Sequence, residues 1–166
     1  MRNATATPAI RPDARDLEYP IVNSLAAGLA GAVALTLVHE TVRRNMPDAP
    51  RMDVLGERAI AKLVRSVGGV PPRGEALHRT ALAGDLAGNS LYYSMVGSGD
   101  PATRPWLRGA VLGLLAGAGA VVLPPVLGLG RSPRGLTTRT KAMTVAYYLI
   151  GGLVAAGAAR AMHPRA

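Results

Sequence analysis

YPIVNSLAAGLAGAVALTLV, residues 19–38, contains no Asp, Glu, Lys or Arg, and its reading decides the fold class. About 20 residues at roughly 1.5 Å rise each cross the ~30 Å hydrocarbon layer of a bilayer. Residues 109–130 (GAVLGLLAGAGAVVLPPVLGLG) and 142–159 (AMTVAYYLIGGLVAAGAA) are likewise free of acidic and basic side chains. Residues 80–99 form a fourth run, interrupted only by Asp85. The chain therefore reads as an all-α polytopic membrane protein. Four transmembrane helices are predicted in two antiparallel hairpins, at about residues 20–41, 75–96, 105–123 and 140–162.

Outward from these runs the sequence turns polar. Residues 1–18 carry two prolines and no hydrophobic period, and predict a flexible polar arm. A cleaved leader is not expected, because the first apolar run is long and ends in His39-Glu40 instead of small residues. Between the first two spans, residues 53–67 place Leu55, Ala59, Ile60, Leu63, Val64 and Val67 opposite Glu57, Arg58, Lys62 and Arg65. That period predicts an amphipathic helix, lying in the headgroup plane or packed under the bundle. Pro124-Pro125 is expected to stop or kink the third span, and residues 163–166 form a short tail. The spans and this helix make one membrane domain, residues 19–162.

Twelve Lys and Arg fall in the loops after spans one and three, against seven on the other side. The positive-inside rule then puts both long loops in the cytoplasm and both termini outside. Arg far outnumbers Lys, as in a GC-rich genome, and a bacterial inner membrane is the expected location. The net charge of +9 is read as topology and contact with anionic headgroups, not nucleic-acid binding, because the basic residues are not interleaved with aromatics. Cysteine is absent, which excludes disulfides and thiolate metal sites.

With 20 glycines and no phenylalanine, the spans must pack through small residues. Gly109, Gly113 and Gly117 recur every fourth residue, and Gly84 and Gly88 have the same spacing. Such faces serve packing within the chain or a second subunit.

Asp85 is the strongest functional candidate. A carboxylate within a span costs several kcal/mol and should face the bundle interior, a partner or water. It lies about six residues, or ~9 Å, beyond Arg79, with Asn89 one turn further on. Thr36, Thr144 and Tyr148 are expected in the same polar layer, with His39, Glu40, His78 and Lys141 at the boundary. A structural network, a proton- or ion-handling site at Asp85, and a metal or pigment site at His39 and His78 are the competing readings. His39 and Glu40 are adjacent and diverge by about 100° on a helix, and two histidines are few for zinc, so no metal and no cofactor is predicted.

No nucleophile elbow, HExxH, phosphate-cradling GxxxxGK or strand-flanked GxGxxG is present, so the chain carries no familiar enzyme template. The leading expectation is a non-catalytic accessory or structural subunit, packing against other membrane proteins or itself. An oligomeric proton, ion or small-solute transporter using Asp85 comes second, and a cofactor- or metal-binding membrane protein third.

Overall fold

The computed structural model describes residues 14–98, 104–132 and 137–162, with side chains from residue 21 onward. It holds five helices: α1 (Ala14–Asn45), α2 (Met52–Ser66), α3 (Gly74–Gly97), α4 (Pro105–Val126) and α5 (Thr138–Ala161). Three are long and apolar enough to cross a membrane: α1 over Ile21–Asn45, α4 and α5. α3 is as long but less apolar.

α1 begins earlier than the sequence suggests, since residues 14–18, expected in the polar arm, already belong to the helix. Residues 1–13 and 163–166 lie outside the described residues. α4 also runs past its expected stop. Pro124 and Pro125 sit in its last turn, where the helix continues with Leu127 N–H donating to Leu123 C=O at 2.8 Å. A proline removes one donor and restricts the residue before it, and both effects matter little where the helix ends anyway. Gly128, at φ +68°, closes α4 in the left-handed conformation that glycine reaches without strain.

α1 packs antiparallel against both α3 and α5, and α4 packs antiparallel against α5. The close approaches follow from glycine. A Cβ on Gly113 would meet Tyr148 O and Leu149 Cα at 2.8 Å, and one on Gly117 would meet Val145 Cα at 2.7 Å. Gly109 abuts the backbone of Gly152, so the glycine stripe of α4 is used up on α5. On α1, Gly28 meets Ser90 and Ser94 of α3, and Gly31 meets Gly151 of α5. Gly84 and Gly88 are different. Nothing lies within 4 Å of a Cβ on Gly88, and Gly84 touches only Ile60 of α2.

At the junction of α1, α3 and α5 the largest fully buried side chains are Tyr93, Leu35 and Val96. The Tyr93 ring lies over Gly151 and its hydroxyl donates to Tyr148 C=O at 2.7 Å. Tyr92 donates to Leu112 C=O of α4 at 2.9 Å. The tandem tyrosines thus tie α3 to two other helices, and burying their hydroxyls requires such acceptors. Outward faces are aliphatic: Ile21, Leu25, Leu29, Val33 and Leu37 form an exposed stripe along α1, and Leu107, Val111, Leu114 and Leu115 do so on α4.

α2 packs under the bundle, with Leu55 and Ala61 buried. Two of its cations hydrogen-bond to the protein. Lys62 donates to Leu127 C=O at 2.5 Å, and Arg58 donates to Leu129 and Arg131 C=O at 3.1 and 3.0 Å. They supply donors and positive charge to carbonyls at and just beyond the C-terminus of α4, where the helix leaves acceptors unsatisfied.

Candidate functional site

Where α1, α2 and α3 meet, a cleft of about 50 Å³ opens at the polar end of the bundle. α1 lends it Thr36, His39, Glu40 and Arg43, and α3 lends His78, Ala81, Leu82 and Asp85. Both sets follow the i, i+3, i+4, i+7 spacing that puts four residues on one helical face. Met52, Asp53 and Gly56 close the cleft from the side of α2.

Most charges around it are already matched. Arg43 forks onto Glu40 with bonds of 3.1 and 2.8 Å. Arg51 grips Asp53 at 2.9 and 2.8 Å. Burial would push the Asp53 carboxyl up, but the hydrogen bonds and charge of Arg51 prevail and hold it below the usual carboxylate range. Hydrogen bonding to Asp53 likewise raises Arg51. His78 Nδ1 meets Glu57 Oε1 at 3.0 Å.

Three buried polar atoms have no hydrogen-bond partner among the described residues: Thr36 Oγ1, His39 Nε2 and Tyr147 Oη. The His39 ring stands edge-on to Tyr147, centroids 5.0 Å apart, and walls the cleft off from the α5 tyrosines. Asp85 is exposed at the cleft mouth, takes a hydrogen bond of 3.0 Å from Asn89 Nδ2, and has no cationic partner among the described residues.

The structure therefore gathers Thr36, His39, Glu40, His78 and Asp85 into one cleft, and sets Asn89 beside Asp85. It does not bring Thr144, Tyr148 or Lys141 to that cleft. Thr144 is buried and donates to Thr140 C=O at 3.0 Å, Tyr148 lies in the core, and Lys141 and Thr144 line a separate groove with Pro124 and Pro125. Of the three, Tyr148 comes nearest, its ring centroid 6.2 Å from that of His39. His39 and His78 share the cleft, yet no group of three His, Asp or Glu among the described residues is arranged to hold a metal. Asp53, which sequence reasoning passed over as a site residue, lines the cleft, and Arg51 pairs with it from outside the lining. Their spacing of two at a helix start was the available signal, since Asp in a first helical turn draws a neighbouring cation.

No family profile, no curated protein and no solved structure matches the chain.

Proposed function

We propose that the chain is a small non-catalytic membrane protein, an accessory or structural subunit that docks on another membrane helix through the outward face of α3. One observation carries this reading. The exposed faces of α1 and α4 are aliphatic along their length, as lipid-facing surfaces are, whereas the middle of α3 exposes a patch of small residues, Ala83, Gly84, Ala87 and Gly88, bordered by exposed Leu82, Leu91 and Met95. That composition is the one α4 buries against α5. Small residues let backbones approach, and an exposed face made of them gains nothing from lipid chains.

In this reading α3 is the second of four crossings and α2 the amphipathic cytoplasmic element. The directions of the helices support it. α1 and α4 both run antiparallel to α5, hence parallel to each other, so the segment joining them has to return across the full thickness of the bundle. The charge asymmetry supports cytoplasmic long loops in a bacterial inner membrane.

Cross-linking in native membranes, then purification in mild detergent and mass identification of captured chains, tests the proposal. Wild type should retain a second chain, and Gly88→Leu should lose it while keeping its own thermal stability. Purification as a monodisperse single chain, with nothing captured at any stage, would overturn it.

A further inference from the structure

The cleft beside α3 rests on a separate observation. Once Glu40 is assigned to Arg43 and Asp53 to Arg51, a single negative charge is left on the wall, that of Asp85. Two further groups on the wall have unused capacity, Thr36 Oγ1 and His39 Nε2. A neutral imidazole protonated at Nδ1 accepts at Nε2, and a hydroxyl oxygen accepts readily. Buried polar atoms without partners and an unmatched carboxylate each cost free energy, and a donor-rich cation relieves all three.

We propose that this cleft binds a primary ammonium group at the Asp85 carboxylate, and that His39 Nε2 and Thr36 Oγ1, which are shut off from solvent behind its wall, accept the remaining N–H donors once a small side-chain movement exposes them. The size suits the CH₂–NH₃⁺ end of a molecule, with about 50 Å³ available and Leu82 half-exposed at the mouth for the carbon chain. A quaternary ammonium fits poorly. It has no N–H to give, and it is recognised by the faces of aromatic rings, whereas His39 stands between the cleft and Tyr147. A divalent metal is disfavoured because Glu40 and Asp53 are committed to arginines. Two sources bring the same chemistry to this depth: the ethanolamine headgroup of a phospholipid, and a free alkylammonium.

The test uses the full chain in lipid nanodiscs. In discs of mixed phosphatidylethanolamine and phosphatidylcholine, native mass spectrometry counts the lipid that stays bound. In pure phosphatidylcholine discs, thermal unfolding is followed during titration with methylammonium chloride against tetramethylammonium chloride at equal ionic strength. A headgroup site predicts about a tenfold preference for the ethanolamine lipid, equivalent to ~1.4 kcal/mol, which disappears in Asp85→Asn and weakens in Thr36→Val. A site for free amines predicts a saturable rise in Tm with methylammonium only, lost in Asp85→Asn and reduced in Thr36→Val. Both substitutions are near-isosteric, and Thr36→Val reads the same site should Asp85→Asn fold poorly. Equal response to both headgroups and both salts, or a preference that survives both variants, overturns the proposal. Gly88→Leu should leave the ammonium preference intact, so this site and the docking face succeed or fail separately.

Discussion

Gly113→Ala and Gly88→Ala make the same chemical change in the middle of two helices, and the structure assigns them opposite consequences. At Gly88 the new methyl has open space, with no atom within 4 Å. At Gly113 it would lie 2.8 Å from Leu149 Cα and from Tyr148 O, both backbone atoms of α5 that no rotamer change can move. Carbon contacts are comfortable at about 3.5–4.0 Å, so α4 must back away by roughly 1 Å, and a gap of that size forfeits a quarter to a half of each dispersion contact along the seam. Overpacking of this kind costs about 1–3 kcal/mol. The helix-propensity gain of alanine over glycine, up to about 1 kcal/mol, is common to both variants and cancels in their difference. Gly113→Ala should therefore be less stable than Gly88→Ala by about 1–3 kcal/mol. Trp106 is the sole tryptophan and lies over Gly157 of α5, so its fluorescence reports separation of α4 from α5 during denaturation in mild detergent. A difference below about 0.5 kcal/mol, the scatter of neutral substitutions, would refute the claim that α4 and α5 are locked by glycine contact.

Other perturbations probe the remaining joints. Tyr93→Phe removes the buried hydroxyl that donates to Tyr148 C=O and should cost about 0.5–1.5 kcal/mol in the same denaturation assay, with no change in the captured partner. Lys62→Met combined with Arg58→Met should speed amide hydrogen exchange across the end of α4 and the chain just after it, measured by mass spectrometry, while the centres of α4 and α5 keep their protection. Because Arg51 holds the Asp53 carboxyl below its ordinary range, the stability it contributes is complete above the unfolded value near ~3.9 and is lost as pH falls through the lower folded value. Thermal unfolding followed from about pH 5 down to about pH 2.5 should show this loss in wild type and a flatter profile in Asp53→Asn.

Helix existence and type were legible in the sequence because run length and period fix them. A helix was expected over residues 53–67, and α2 covers that stretch to within a residue. The stripe Gly109, Gly113, Gly117 was legible as a packing face for the same reason. Its twin spacing at Gly84 and Gly88 was not distinguishable from it, since only the position of a neighbour separates a filled face from an open one. The polar layer was half legible. Thr36, His39, Glu40, His78 and Asp85 were placed together by depth, and depth was sufficient because α1 and α3 face each other there. Thr144 turns to its own helix, donating to Thr140 C=O, and Tyr148 lies in the core with its ring 6.2 Å from that of His39, so neither is among the residues that line the cleft. The basic face of residues 53–67 was compatible with a place in the headgroup plane or under the bundle, and the sequence could not show that the end of α4 lies within reach of Arg58 and Lys62.

The two proposals converge on α3, and the reason lies in its composition. α3 falls short of the hydropathy of its neighbours because it carries Asp85, Asn89, Gly84 and Gly88 in its middle. The other helices leave those residues largely uncovered or at the cleft mouth, while of the tyrosines that anchor α3, Tyr93 is buried and Tyr92 half-buried. In the proposed topology, where α3 crosses the bilayer, a helix needed only to return the chain to α4 would be more stable in lipid with leucine at 84, 87 and 88 and an apolar residue at 85. Stability against lipid and the observed residues therefore pull in opposite directions at four neighbouring positions. Gly88→Leu separates the explanations: it improves the fit of α3 to lipid, so loss of a bound chain in that variant would identify protein, not lipid, as what the exposed face is shaped to meet.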